Sequence, residues 1–174
     1  MNQNKGNESI PVSIARKAIE VYLRDDKVVS PQELPVFEND PAGCFVSLHA
    51  HGVLRGCIGT ILPTKKTVTA EIVANAISAC SQDPRFDAVR ANELDTVEIS
   101  VDILSKPETI ESPDDLDPKK YGVIITSGVR RGLLLPDLEG VESVYDQMAI
   151  ARRKGGIEST DKYEIQRFTV TRYT

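Results

Sequence analysis

The sixteen residues from Cys44 to Gly59 constrain the fold more than any other stretch of the chain. They hold both histidines, two of the three cysteines and three glycines. Their polarity alternates with the period of a strand, breaks around Ala50-His51-Gly52, and resumes. The stretch therefore reads as a β-hairpin. Cys44, Val46 and Leu48 form an apolar face on the first strand, with Phe45, Ser47 and His49 on the other. On the second strand Leu54, Gly56 and Ile58 oppose Val53, Arg55, Cys57 and Gly59. A slip of one residue would turn each side chain to the wrong face, so burial selects the register. Pairing the apolar faces sets Leu48 against Leu54 and Val46 against Gly56. The loop is then Ala50-His51-Gly52, with Gly52 supplying the left-handed residue that closes a three-residue turn.

This register gathers chemistry on one face. Ser47 lies across from Arg55 and Phe45 across from Cys57, with opposed Cβ atoms about 5 Å apart. Cys57 and Arg55 are the candidate catalytic pair, because a neighbouring cation raises the thiolate fraction of a cysteine. Arg55, Ser47, His49, Gly56, Gly59, Glu98 and Ser100 are the candidate substrate-binding residues. Glu98 is the expected carboxylate neighbour of Arg55, and Gly56 and Gly59 leave backbone open to a ligand. Plainer roles stand beside these: Cys57 as a small packed residue, Arg55 as a structural ion pair, and His49 and His51 as exposed tip residues. His49 and Cys57 are separated by roughly 13 Å along the paired strands, which disfavours a Cys–His nucleophile. Cys44, His49, His51 and Cys57 lack the spacing of a metal centre, and no cofactor motif is present.

The rest of the chain supplies helices and further strands. Residues 1–8 are polar and read as a disordered N-terminal segment, and residues 9–174 as a single domain. A helix is expected from Ser9 with Pro11 in its first turn, and another from the Thr67 cap, closed by Asp83-Pro84-Arg85-Phe86. Glu98–Leu104 alternates as a half-buried strand, and residues 105–120 read as an irregular crossing. Tyr121–Thr126 and Leu133–Leu135 are strands. A helix is expected over Val141–Lys154, stopped by Gly155-Gly156, and one closing strand over Tyr163–Tyr173. Strands and helices do not alternate regularly, so the fold class is α+β with mainly antiparallel pairing and flanking helices.

Charge and cysteine usage narrow the function. Acidic residues outnumber basic ones 26 to 21, for a net charge of -5, which argues against nucleic-acid binding. Three cysteines without paired spacing do not form a disulfide framework. No run approaches the roughly 18 apolar residues of a membrane span, and no signal peptide is visible at the start. A cytoplasmic setting is the expectation.

Leu54-Arg55-Gly56-Cys57-Ile58-Gly59 resembles the signature of the AMMECR domain family, whose microbial members are the A protein of the AmmeMemoRadiSam gene cluster. The resemblance continues through Asn75–Ala79, Asp83–Phe86, Glu98–Val101, Gly132–Pro136 and Arg153–Ile157, from about residue 12 onward. It implies a larger lobe with an antiparallel sheet and helices, and a smaller lobe that encloses a cleft lined by the signature. It also implies a pathway shared with Memo-like and radical-SAM proteins. Asp137 departs from the family pattern, in which Gln is common at that position. Two functions follow: an accessory or interaction subunit in that pathway with a small-molecule ligand in the cleft, or an enzyme using Cys57 and Arg55 in a small-molecule or protein-modification reaction. RNA binding is a distant third.

Overall fold

A computed structural model describes residues 8–38 and 40–174. The expected frayed segment lies outside the described residues except for Glu8, which accepts from Arg16 Nε at 2.8 Å and 3.0 Å. The fold is α+β, with two four-stranded sheets. The chain divides into two compact units: residues up to Ile103 together with Thr171–Thr174, and Leu104–Val170.

The first unit carries α1 (Ile10–Asp25), β1 (Cys44–Ala50), β2 (Val53–Thr60), α2 (Val68–Ser81) and β3 (Val97–Leu104). Its sheet has the order β2-β1-β3-β8, where β8 is Val170–Tyr173. α1 buries Val12, Ala15, Ala18 and Ile19 at helical spacing. Ser9 sits at its N-cap in extended backbone, but its hydroxyl makes no capping bond, contrary to expectation. Thr67 does cap α2, accepting from the Ala70 N–H at 3.2 Å. Both helices share one core with Cys44, Val46, Leu48, Ile99 and Val101 of the sheet. Alternation along the strands leaves Phe45, Ser47, His49, Glu98, Ser100 and Asp102 on the opposite face.

The hairpin corrects the expected register. His51 and Gly52 both take positive φ, 52° and 77°, and form a two-residue turn. Such a turn matches the right-handed twist of its strands, and glycine at the second position makes it accessible. Ala50 pairs with Val53 and His49 with Leu54; the register then shifts, and Leu48 pairs with Gly56. Arg55 is the extra residue of that bulge. Leu48 therefore does not face Leu54, Ser47 does not face Arg55, and Phe45 does not face Cys57. Beyond the bulge the pairs are Ser47 with Cys57, Val46 with Ile58 and Phe45 with Gly59. One added residue lets the tight turn and the burial pattern coexist.

The second unit contains β4 (Glu108–Ile110), β5 (Gly122–Ser127), β6 (Arg130–Leu134), α3 (Val144–Gly155) and β7 (Glu164–Phe168). Its strand order is β4-β7-β5-β6, with antiparallel pairing of each neighbour. Val123, Ile125, Leu134, Met148, Ala151 and Ile165 form its core. β4 lies inside the stretch expected to be irregular, because its three residues are too short to display alternation. The expected closing strand is two strands that join different sheets, β7 and β8. α3 starts at Val144 rather than Val141, since Ser143 accepts from the Asp146 N–H and sets the cap. A Cβ on Gly132 would lie 1.8 Å from the Ala151 carbonyl oxygen, so glycine is what lets α3 rest on β6.

Candidate functional site around Cys57

Cys57 stands on the edge strand β2, half-buried and free of any disulfide. The Ser47 hydroxyl donates to its Sγ at 3.3 Å. Ser47 is in turn paired with Ser100 on β3, so Cys57, Ser47 and Ser100 form one row across three strands. His49 and Glu98 face each other one row along. His49 is thus on the same face as Cys57 but is offset from it, and no hydrogen bond joins the two. Sequence reasoning placed Ser47, His49, Ser100 and Cys57 on one face, and the sheet brings them there with a different register.

The backbone of Cys57 is tied at both polar groups. Its N–H donates to Asp83 Oδ2 at 2.9 Å, and its carbonyl accepts from Arg85 Nη2 at 3.2 Å. Arg85 also holds Asp83 through Nε at 2.9 Å and Nη2 at 2.7 Å. The Arg85 guanidinium, with the Cys57 and Arg85 N–H groups, holds the Asp83 carboxyl well below the usual carboxylate range, against the opposing effect of its burial. Asp83 favours the charged form of Arg85 in return, and the Cys57 side chain adds to that effect. The cation beside Cys57 is therefore Arg85. Asp83-Pro84-Arg85-Phe86 was legible in the sequence only as a helix stop. An acid, a proline that fixes the chain, and a base two residues on was the signal for a rigid clasp.

Arg55 has another task. It donates from Nη1 to Asp87 O at 2.7 Å and from Nη2 to Ala88 O at 3.3 Å. Both Nε and Nη2 reach the Glu93 carboxylate at 3.2 Å. Glu93, not Glu98, is its carboxylate, and Arg55 lowers the Glu93 carboxyl below its ordinary pKa. The bulge swings Arg55 away from β3, where Glu98 lies. Arg55 staples β2 to the segment that follows α2.

The signature glycines are also accounted for. A Cβ on Gly56 would lie 2.3 Å from the Ala79 carbonyl oxygen of α2, and one on Gly59 would lie 2.2 Å from the Phe45 ring. Their bare backbones admit a helix end and an aromatic ring. Ile58 packs against the core of the first unit. Among Arg55, Gly56, Cys57, Ile58 and Gly59, only the Cys57 side chain has no packing or clasping duty.

The other thiols are inert by environment. Burial pushes Cys44 up to about 12 and Cys80 up to about 11. Glu71, which sequence reasoning passed over, is fully buried. It accepts from Thr60 and Thr64 hydroxyls and from the Thr64 and Lys65 N–H groups. Burial alone would raise its pKa, and those hydrogen bonds outweigh it. Its role is to fix the chain between β2 and α2. Among the described residues no cluster of three metal-ligating side chains occurs, and no helix is long and apolar enough to cross a membrane.

Comparison with known proteins places this geometry. The profile of the AMMECR1 family matches residues 12–174. A protein of Thermotoga maritima is 54% identical over 93% of this chain and 95% of its own. One from Clostridium acetobutylicum is 44% identical over 98% of this chain, which spans only 37% of that relative's length. The crystal structure of an uncharacterised protein from Pyrococcus horikoshii superposes with a TM-score of 0.82 at 29% identity, covering 95% of this chain and 91% of its own.

Proposed function

The chain belongs to the AMMECR1 family, and from that membership and the sheet-face geometry we propose that it is an accessory subunit that binds a partner or its ligand through the row Cys57–Ser47–Ser100. One observation carries this reading: Cys57 is the signature side chain left uncommitted, and it is held rigidly from behind by Asp83 and Arg85. Preorganised side chains favour recognition because less ordering entropy is lost on binding. Catalysis is less well served. Cys57 has no imidazole within hydrogen-bond reach, and its nearest side-chain partner is a hydroxyl. The Clostridium relative, most of whose length lies outside the match, supports a protein that works beside another domain.

The partners this reading names are a Memo-like protein and a radical-SAM protein in a reducing cytoplasm, with a small molecule held at the same face. A second reading, an enzyme using Cys57, is favoured by the Arg85 guanidinium, which stabilises a thiolate. Size-exclusion chromatography of the purified chain with the Memo-like protein of the same organism tests the first reading. The expected result is co-elution that is lost when Cys57 carries a bulky maleimide. Separate elution, or a complex indifferent to the blocked thiol, overturns it.

A further inference from the structure

The first unit contains a cavity of about 730 Å³ away from Cys57. Four consecutive residues of β3, Val97 to Ser100, line it. A cavity on the face of a sheet meets alternate residues of a strand, whereas consecutive residues mean that it runs along the strand's edge. The hydrogen bonds around β3 say which edge. Ser105 N–H donates to Thr169 O at 2.9 Å, and Val97 O accepts from Arg16 Nη2 at 3.2 Å. Odd-numbered residues therefore point their backbone groups away from β1, toward the side on which β8 lies. β8 has four residues against the eight of β3. The Asp102–Arg172 pair, at 2.8 Å, sets β8 beside the second half of β3. Thr174 O accepts the Ser9 N–H at 3.2 Å. The N–H and C=O of Ile99 thus face the cavity where a strand would otherwise continue.

We infer that this edge is a strand-addition site: the backbone of Ile99 and its neighbours receives an extended segment of a partner polypeptide, in line with β8. The site deepens the reading of the protein as an interaction subunit and rests on it. Exposed strand edges template pairing with another chain unless they are covered. The side chains state which segment fits. Glu98 is exposed, and no hydrogen bond or ion pair to it is present among the described residues. Asp95 lines the same cavity and adds negative charge. Opposite charges are favoured as cross-strand neighbours, so a lysine or arginine belongs beside Glu98. On the other face Ile99 and Val97 look toward the core, with Val12 on the cavity wall. The residues flanking the base are therefore apolar. The occupant is an extended segment with a Lys or Arg between two β-branched apolar residues.

Two synthetic peptides test this by NMR titration of the full chain: Thr-Val-Lys-Val-Thr and its glutamate analogue, Thr-Val-Glu-Val-Thr. The lysine peptide is expected to shift the amides of residues 97–100 and to slow exchange of the Ile99 amide at least tenfold at saturation, leaving Cys57 unmoved. Glu98→Lys should reverse the preference toward the glutamate peptide. Equal binding of both peptides, binding centred elsewhere, or no binding overturns the inference. So does pairing of two copies of the chain through β3 in place of peptide binding. The broader reading fails separately: loss of the Memo-like complex on blocking Cys57 is measured without reference to β3.

Discussion

Asp83 and Cys57 are joined side chain to backbone: the Asp83 carboxylate accepts the Cys57 N–H at 2.9 Å. Arg85, bound to the same carboxylate, returns a hydrogen bond to the Cys57 carbonyl at 3.2 Å. Together they supply the donor and acceptor that a neighbouring strand residue would offer. The edge strand is closed at that one residue, and the thiol is fixed without being buried.

The clasp makes stability depend on pH. Arg85 chiefly holds the Asp83 carboxyl below its ordinary value. A depressed folded pKa contributes stability above the unfolded pKa, near 4, and that contribution is lost as pH falls below it. Asp83→Asn should cost about 2 kcal/mol at pH 7, as expected for losing hydrogen bonds to a charged group. Urea denaturation from pH 7 down to about 2.5 should show the gap between wild type and variant closing. A gap that does not change with pH would mean that the carboxylate charge is not the cause.

Arg55 and Glu93 should couple, and Arg55 and Glu98 should not. A double-mutant cycle on Arg55→Ala and Glu93→Ala should give a coupling of about 1 kcal/mol for a half-exposed pair. The same cycle with Glu98→Ala should give a value near zero. The reverse pattern would return Arg55 to the face of β3.

Gly56→Ala should be strongly destabilising, because the added methyl meets backbone, the Ala79 carbonyl oxygen at 2.3 Å. Overpacking of this kind costs roughly 1–3 kcal/mol. Gly59→Ala meets mainly the Phe45 ring, so Phe45→Ala should recover part of its loss. Thermal melts of the three variants check both claims. A neutral Gly56→Ala would instead leave that position open for a ligand.

The sequence disclosed most of the fold where local signals were strong. The α1 stripe from Val12 to Ile19, the Thr67 cap and the Glu98–Leu104 alternation each reappear in the structure. The hairpin register was not legible, because a two-residue turn plus a bulge and a three-residue turn bury the same apolar side chains. Burial selects the face of Ser47 and Cys57, and both solutions satisfy it. The partner of Arg55 was missed for the same reason: the bulge redirects one side chain without disturbing the pattern. Asp83 and Arg85 act across 26 and 28 residues of sequence on the Cys57 backbone. No periodicity records an interaction of that range, and only the side-chain chemistry of Asp-Pro-Arg hints at it.

Alkylation kinetics of the three thiols in the native protein bear most directly on the central claim, that Cys57 is the uncommitted side chain of the signature. Burial raises Cys44 to about 12 and Cys80 to about 11, while Cys57 is half-buried. Iodoacetamide at pH 8, followed by peptide mass spectrometry, should modify Cys57 alone, with Cys44 and Cys80 reacting only after unfolding. Cys57→Ser should leave stability within about 1 kcal/mol of wild type. A Cys57 that reacts no faster than Cys80 in the folded protein, together with a loss of several kcal/mol in Cys57→Ser, would make the thiol part of the core and contradict the account.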